Sequence, residues 1–353
     1  MQTLSLLLGE SPAIPLATSW LLAELGEAKG RQQLVTRQAP RRLESLREHA
    51  LVESTISSNR IEGVEIEPSR VQAVVLGRPP LRDRNEEEVR GYRDALRWVH
   101  DQAPELEVSE ATIRELHRLS RGESGQGGGY RRRDLEIVET RADGGSRVRF
   151  RAVPGAEVAS AMAGLVAAWE ALCARAEVPV PIALAAFNLD FLCVHPFHDG
   201  NGRTSRLLLL LQSYQAGFEV GRYVSLERLI EGTKERYYEA LELSSRGWHE
   251  GRHDPWPYLN YLLHVLKSAY RELEESFGRE RAPRGEKSAA VVGAVGRLGG
   301  IQPLRSAARV PRGERRPDPA RPQVTAQRWR AGVPGARPRR PLAAHVGNRV
   351  IPR

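Results

Sequence analysis

The stretch His195-Pro-Phe-His-Asp-Gly-Asn-Gly-Arg-Thr-Ser-Arg206 decides the fold, because it forms a short polar loop between two apolar segments. Upstream, residues 181–194 (PIALAAFNLDFLCV) are apolar at helical spacing and begin with proline, which suits the first position of a helix. Downstream, a second apolar segment runs from Arg203 to Ala216, and Gly217 is suited to ending it. The sequence therefore predicts a helix, a polar loop and a second helix.

The Gly200-Asn201-Gly202 turn predicts a binding site for phosphate. Two glycines allow positive-φ backbone conformations, so that successive N–H groups can point into one concavity. This concavity opens onto a helix N-terminus, which attracts anions through its unpaired amides and the helix dipole. Arg203 and Arg206 share a face of the first helical turn, and each can bind a phosphate bidentately.

Asp199 and His195 add a metal ligand and a base to this site. A carboxylate beside a phosphate repels it unless a cation intervenes, and Mg²⁺ bridging the two groups resolves the conflict. His195 leaves the preceding helix at the rim of the loop, where it is a candidate general base near neutral pH. Glycine-rich turns, single histidines and arginine pairs are each common in purely structural roles. Their ordered combination in one short loop favours an active site.

The stretch resembles the signature of the Fic family, His-x-Phe-x-(Asp/Glu)-Gly-Asn-Gly-Arg-x-x-Arg, and every fixed position is filled. The resemblance extends over residues 41–277 and implies an all-α helical bundle with a small β-hairpin, the flap, over the active site. It also implies transfer of AMP from ATP to a Ser, Thr or Tyr hydroxyl of a target protein. The roles it implies are deprotonation of the acceptor by His195, Mg²⁺ binding by Asp199, α-phosphate binding by Gly200, Asn201 and Gly202, β-phosphate binding by Arg203, and γ-phosphate binding by Arg206.

A second motif lies at the end of a helix predicted over residues 41–61, with Gly63 as its left-handed cap. Glu62 stands where the helix dipole disfavours a carboxylate, so a cationic partner elsewhere explains its position; a mildly unfavourable exposed glutamate is the alternative. With Ser58 four residues earlier, the segment resembles the family's inhibitory motif, (Ser/Thr)-x-x-x-Glu-(Gly/Asn). The resemblance implies that Glu62 pairs with Arg206, occupies the guanidinium meant for the γ-phosphate and keeps the resting enzyme weakly active.

Two helices and a hairpin are predicted between these motifs. Asn85 is placed to cap a helix to about residue 101, and Ser109 is placed to cap a helix that ends near Gly122. Residues 135–138 and 147–153 lie on either side of an Asp-Gly turn, which is a hairpin signal. The resemblance implies that this hairpin is the flap and holds the target's backbone as an added strand.

Base recognition is the least specified part of the site. A predicted helix over residues 234–245 carries Tyr237 and Tyr238, and tyrosines in such a helix usually pack in the core with their hydroxyls outward. The resemblance implies that Tyr238 lies near the adenine. Ser245 stands where some family members have asparagine.

The composition of the 353 residues is typical of a soluble globular protein, with one large core and an appendage or with two domains. No apolar run approaches the roughly 18 residues of a membrane span, and the N-terminus lacks the pattern of a signal peptide. We therefore expect a cytoplasmic protein without membrane contact. Cys173 and Cys193 lie among apolar residues of predicted helices, so we expect buried thiols and not a disulfide or a metal site.

Four regions are expected along the chain. They are an N-terminal region over residues 1–84 with the inhibitory helix at 41–63, a catalytic core over 85–278, a linker with a short helix over 279–301, and a basic tail over 302–353. The linker falls where a winged helix-turn-helix begins in many Fic proteins.

The tail differs in composition from the rest of the chain. It has 13 arginines against two acids, a formal charge of +11, so the other residues sum to about −2. Nucleic-acid binding is thus expected only through the tail or a C-terminal module. Two explanations stay open, a disordered basic arm and a reading-frame shift, which the composition slightly favours.

The arginines at 131–133 are interpreted as solvated.

The fold does not settle the reaction. Removal of AMP with Glu62 positioning water, transfer of another phosphate-containing group, and nucleotide sensing by a non-catalytic regulator are alternatives. The sequence specifies neither the target protein nor the oligomeric state, and a homo-oligomer is possible.

Overall fold

The computed structural model describes residues 2–9, 13–36, 40–122, 127–140, 146–278 and 329–332. In these ranges the elements are α1 (Gln2–Leu8), α2 (Leu16–Thr36), α3 (Pro40–Ile61), α4 (Val71–Leu76), α5 (Arg84–Gln102), α6 (Glu110–Ser120), β1 (Glu136–Thr140), β2 (Ser146–Arg151), α7 (Val158–Arg175), α8 (Val180–Val194), α9 (Asn201–Gln215), α10 (Leu226–Gly232), α11 (Lys234–Ser245), α12 (Trp256–Gly278) and β3 (Trp329–Gly332). The expected all-α bundle with a small β-hairpin is confirmed.

Helix α8 is the centre of the bundle. Every residue from Pro181 to Val194 is buried, as expected for a helix that is apolar on all sides. It packs against α1, α7, α9, α11 and α12. The predicted bounds of α8, α9 and α11 are confirmed to within two residues, and Gly217 takes the left-handed conformation, with φ of 77°.

The N-cap of α5 is Asp83, and the prediction of Asn85 was wrong. Asp83 is extended, with φ of −154°, and its side chain accepts a hydrogen bond from the amide of Glu86 at 2.9 Å. Because this cap satisfies the first turn, the helix already includes Asn85. The Asn85 side chain donates instead to the carbonyl oxygen of Glu65 at 2.9 Å.

The hairpin pairs β1 with β2 in antiparallel register, with an irregularity between Ile137 and Val138. On its other edge β1 pairs antiparallel with β3, and Glu136 lies opposite Gly332. The predicted turn at 142–145 and the predicted short helix in the linker lie outside the described residues. So does the tail, apart from β3.

The N-terminal helices are fastened to the core helices. Asp190 in α8 accepts hydrogen bonds from the amides of Thr3 and Leu4 at 3.0 and 2.9 Å, and so caps the start of α1. Helix α2 is 21 residues long. It packs along α12, and this long-range contact accounts for its length.

Helix α7 is the one place where the cysteine prediction fails. Cys193 is buried in α8, but Cys173 is exposed, because α7 turns another face to the core. That face consists of Val158, Met162, Leu165, Trp169 and Leu172. Within the described ranges, Gly155–Arg175 is the segment long and apolar enough to span a membrane by length and composition, a test that core helices of soluble proteins also pass.

Gly91 marks a close approach of α5 to the end of α6. A Cβ at this position would lie 2.4 Å from the carbonyl oxygen of Leu119 and 2.6 Å from the amide nitrogen of Gly122. Both are backbone atoms, so neither can rotate away. We expect Gly91→Ala to lower the free energy of unfolding by about 1–3 kcal/mol, measured by denaturant unfolding.

Gly30→Ala is the control for Gly91→Ala. In the described part of the chain, no atom outside its own helix backbone lies within 4 Å of a Cβ at Gly30. This exposed position in α2 is expected to gain about 1 kcal/mol from the higher helix propensity of alanine. Similar stability changes in the two variants would contradict the packing described for Gly91.

Candidate active site

His195 ends α8 in a left-handed conformation, with φ of 51° and ψ of 62°. Its Nδ1 lies 3.2 Å from the carbonyl oxygen of Leu192. Because a carbonyl can only accept, Nδ1 carries the proton and Nε2 carries the lone pair. Burial lowers the pKa of His195 to about 4, so the imidazole is neutral at pH 7 and Nε2 can accept a proton.

The predicted phosphate cradle is the N-terminus of α9. Gly200 precedes the helix with φ of 82°, and the first amides of the helix have no acceptor within it. A carboxylate of the chain already lies at this end, since a Cβ added to Gly202 would be 2.1 Å from Oε1 of Glu62. The carboxylate of Glu62 therefore lies beside Gly202, in the first turn of α9.

The side chain of Asn201 is committed to the loop itself. Its Oδ1 accepts from the amide of Phe197 at 2.9 Å, and its Nδ2 donates to the Phe197 carbonyl at 2.7 Å. Asn201 is 2% exposed. Its predicted part in α-phosphate binding therefore rests on its backbone amide in the first turn of α9.

His117 in α6 packs against the loop between α8 and α9 and supports it. Its ring stacks parallel on Phe197, with centroids 3.7 Å apart. The amide of Gly128 donates to His117 Nδ1 at 2.8 Å, so Nε2 carries the proton and donates to the carbonyl oxygen of Asp199 at 2.9 Å. Burial lowers the pKa of His117 to about 4, which favours this neutral form.

Arg206 lies against the end of α3, where Ser58 and Glu62 contact it. Its Nη2 donates to Oε1 of Glu62 at 2.8 Å, and its Nε donates to Oγ of Ser58 at 2.8 Å. Arg206 is 3% exposed, and Gly63 ends α3 with φ of 78°. The predicted pair of Glu62 with Arg206 is thus present as a contact. Nη1 of Arg206 is buried without a hydrogen-bond partner in the described residues.

Arg203 is buried behind the cradle. It is 1% exposed, and its Nη1 donates to Oε2 of Glu88 at 2.8 Å and to Oδ1 of Asn59 at 3.3 Å. The structure therefore places its guanidinium in an ion pair with α5. The pair occupies Nη1, whereas Nε is buried without a hydrogen-bond partner among the described residues.

Asp199 is the metal ligand that the resemblance implies. Its Oδ1 accepts from the amide of Gly200 at 2.7 Å, and its Oδ2 lies 2.8 Å from Nη1 of Arg121. The side chain is 59% exposed, so other lone pairs of the carboxylate face solvent. One carboxylate beside phosphate oxygens is a typical donor set for Mg²⁺. The residues present therefore fit the ion.

One cavity of about 110 Å³ joins these groups. It brings together the candidate base His195, the candidate metal ligand Asp199, the N-terminus of α9, Glu62 and the hairpin. Its lining includes Glu62, Ile137, His195, Asp199, Gly200, Asn201, Gly202 and Tyr238.

The residues predicted for base recognition lie at this cavity or beside it. Tyr238 lines it, and its hydroxyl is 3.4 Å from the carbonyl oxygen of Ile61. Ser245 lines a neighbouring pocket of about 30 Å³ that shares Ile137, Leu192 and Leu241 with the first.

Several groups that shape the site were missed in the sequence. Glu88 and Arg121 form an ion-pair chain from Arg203 to Asp199, with Arg121 Nη1 3.0 Å from Glu88 Oε1. Their separations in sequence from the motif are large, and charged residues near helix ends are common. No local signal marked them.

The comparisons with known proteins agree with this geometry. The sequence pattern described as the Fic/DOC family matches residues 107–213, which span α6 to α9 and the flap. A Fido domain-containing protein of Dictyostelium discoideum is 36% identical over 73 residues, which are 20% of this chain and 47% of that protein. The match thus spans about half the length of that relative.

Solved structures of similar fold come from several organisms. A Fic family protein of Desulfovibrio desulfuricans G20 has a TM-score of 0.60 and 26% identity, with 81% of each chain covered. Fic-1 of C. elegans has a TM-score of 0.58 and 20% identity, with 75% of each chain covered. At that lower identity the likeness shows the fold alone.

The fold and the site together define a Fic-type helical protein. Residues 107–213 match the Fic/DOC family, and the fold is similar to that of a solved Fic family protein. Members of this family are generally transferases, which typically place phosphate-containing groups of nucleotides on proteins.

Proposed function

We propose that the protein transfers AMP from ATP to a serine, threonine or tyrosine hydroxyl of a target protein. The observation that supports this proposal is the shared cavity of His195 and the α9 N-terminus. A base with a free Nε2 beside an anion-binding helix end suits attack of a hydroxyl on phosphorus.

In the proposed reaction, Nε2 of His195 takes the proton of the acceptor hydroxyl. The hydroxyl oxygen forms a bond to the α-phosphorus. The bond from the α-phosphorus to the oxygen that bridges to the β-phosphate breaks, and pyrophosphate leaves with that electron pair. The protein contributes mainly position and charge stabilisation, as is general for phosphoryl-type transfer.

The first amides of α9 hold the α-phosphate in this proposal. Arg206 binds the γ-phosphate with the buried Nη1 and with the donors that Glu62 and Ser58 now occupy. Arg203 acts through its buried charge and its ion pair with Glu88. Asp199 holds Mg²⁺, which supplies charge neutralisation at the phosphates.

Glu62 restrains the enzyme in the same proposal. Its carboxylate lies over Gly202 and binds Arg206, so it takes the place of the γ-phosphate. A triphosphate and this carboxylate repel each other and compete for one guanidinium. Activity therefore requires Glu62 to release Arg206.

The test uses the Glu62→Gly variant with Mg²⁺ and either α-³²P-ATP or γ-³²P-ATP, with self-labelling as the readout. We expect label from the α position only, and a mass increase of one AMP. Label from the γ position would indicate phosphate transfer instead. ATP binding without label from either nucleotide would contradict the proposal, and release of AMP from pre-labelled protein by the unsubstituted chain would favour the reverse reaction.

A further inference from the structure

Arg131 is buried, although the sequence interpretation placed all three arginines at 131–133 in solvent. It is 7% exposed, whereas Arg132 and Arg133 are exposed. The interpretation is therefore wrong for Arg131. A guanidinium is removed from water only where other groups compensate its charge and satisfy its donors.

The donors of Arg131 are satisfied by four backbone carbonyl oxygens from three segments. Nε of Arg131 donates to His195 at 2.8 Å, and Nη2 donates to Val194 at 3.0 Å. Nη1 donates to Arg133 at 2.9 Å, just before β1, and Nη2 donates to Val153 at 2.5 Å, just after β2. The side chain of Arg131 thus links the end of α8 to the segments just before β1 and just after β2, which are the two ends of the flap.

The contacts at α8 fix the turn that carries the base. The last carbonyls of a helix lack partners within it and form the negative end of its dipole, so a cation is favoured there. A left-handed non-glycine residue such as His195 costs about 1–3 kcal/mol and persists only where its surroundings hold it. Arg131 holds both sides of this turn, since its own amide donates to the carbonyl of Pro196 at 2.9 Å.

The two segments of the flap that Arg131 contacts are also joined to each other by hydrogen bonds. The amide of Gly155 donates to Oδ1 of Asp134 at 2.8 Å, and the amide of Ala152 donates to the carbonyl of Leu135 at 3.1 Å. A Cβ at Gly155 would lie 2.4 Å from the carbonyl of Arg132. The two ends of the flap are therefore held together where Arg131 contacts them.

We propose that Arg131 is a positioning residue that holds His195, the general base, at a fixed position relative to the flap. A hydroxyl presented by the flap then meets Nε2 of His195. This inference rests on the proposed function. The hydrogen bonds of Arg131 reach neither the α9 N-terminus nor Arg206, so the residue acts on the transfer step and not on nucleotide binding.

The experiment compares Arg131→Lys and Arg131→Gln, each in the Glu62→Gly background. Lysine keeps the charge but not the planar fork that spans three segments. We expect kcat for self-labelling to fall about 10- to 100-fold, because displacement of a reacting group by about 1 Å can cost that much. We expect KM and Kd for ATP to stay unchanged. Arg132→Gln is the matched control, and it should leave kcat unchanged.

A second readout is independent of turnover. Nitrogen NMR of labelled histidines reports the tautomer of His195, whose signal is identified by its loss in His195→Asn. We expect the signal of the form protonated at Nδ1 to shift or broaden in Arg131→Lys and to stay unchanged in Arg132→Gln. Absence of transfer in the Glu62→Gly parent would contradict the proposed function, and the NMR comparison would still decide the role of Arg131.

Three outcomes overturn the inference. The first is an unchanged kcat with an unchanged His195 signal. The second is a kcat loss matched by an equal loss of ATP affinity and a lower Tm, which indicates a general structural role. The third is an equal loss in the Arg132→Gln control. Where Arg131→Gln does not fold, Arg131→Lys decides.

Discussion

Glu62→Gly is expected to raise self-labelling from α-³²P-ATP by about 10- to 100-fold. A hydrogen bond between charged groups contributes about 1.5–3 kcal/mol, and about 1.4 kcal/mol corresponds to a tenfold change. Glu62 is 23% exposed, so water screens the pair with Arg206 in part and the lower half of the range is expected. The same substitution should tighten ATP binding, measured by calorimetry, because it frees the guanidinium.

Two variants separate the charge of Glu62 from its size. Glu62→Gln keeps the shape of the side chain but not its charge, so an intermediate gain is expected. Glu65→Gly removes an exposed glutamate three residues further along, and should change neither labelling nor ATP affinity. A gain in Glu65→Gly equal to that in Glu62→Gly would show that loosening of the segment, and not the pair with Arg206, limits the enzyme.

The local part of the site was predictable from the sequence because its geometry is set by near neighbours. Gly200 and Gly63 take the positive φ that their positions required, and His195 lies where the helical periodicity of α8 ends. The contact of Glu62 with Arg206 spans 144 positions in the sequence. It was inferred from a family resemblance and the unfavourable place of a carboxylate at a helix end.

The remaining parts of the site depend on contacts between residues far apart in the sequence, which the spacing within a motif does not predict. Arg203 was expected to bind phosphate, and only the tertiary structure shows its pair with Glu88, 115 positions away. The burial of Arg131 depends on carbonyls of α8, 63 and 64 positions away. The sequence does not show whether solvent, a carboxylate or a set of carbonyls surrounds a guanidinium. Its partner is therefore known only from the tertiary structure.

His195→Asn in the Glu62→Gly background is expected to lower transfer by about 10²–10⁴-fold, the usual contribution of a general base. Asparagine is chosen because it tolerates the left-handed backbone at this position better than most residues. ATP affinity should be retained, since the cradle is formed by α9. Loss of ATP binding together with transfer would show that the variant damages the site more widely, and retained transfer would contradict the role of His195 as base.

The pH dependence of kcat/KM tests the protonation state of His195 in the free enzyme. Its pKa is lowered to about 4, chiefly by burial and also by Arg131, whereas the hydrogen bond to Leu192 and the charges of Glu62 and Asp199 act in the opposite direction. A lowered pKa means that the ring gains its proton only as the pH falls through about 4, so the neutral base persists well below the ordinary value of about 6.5. In the Glu62→Gly background one of the two acids is gone, and the pKa should be no higher. We therefore expect kcat/KM to stay level from about pH 8 to about pH 5.5, with circular dichroism at each pH as the check of folding. A half-point near 6.5 would show that the ring is exposed to water in the active enzyme.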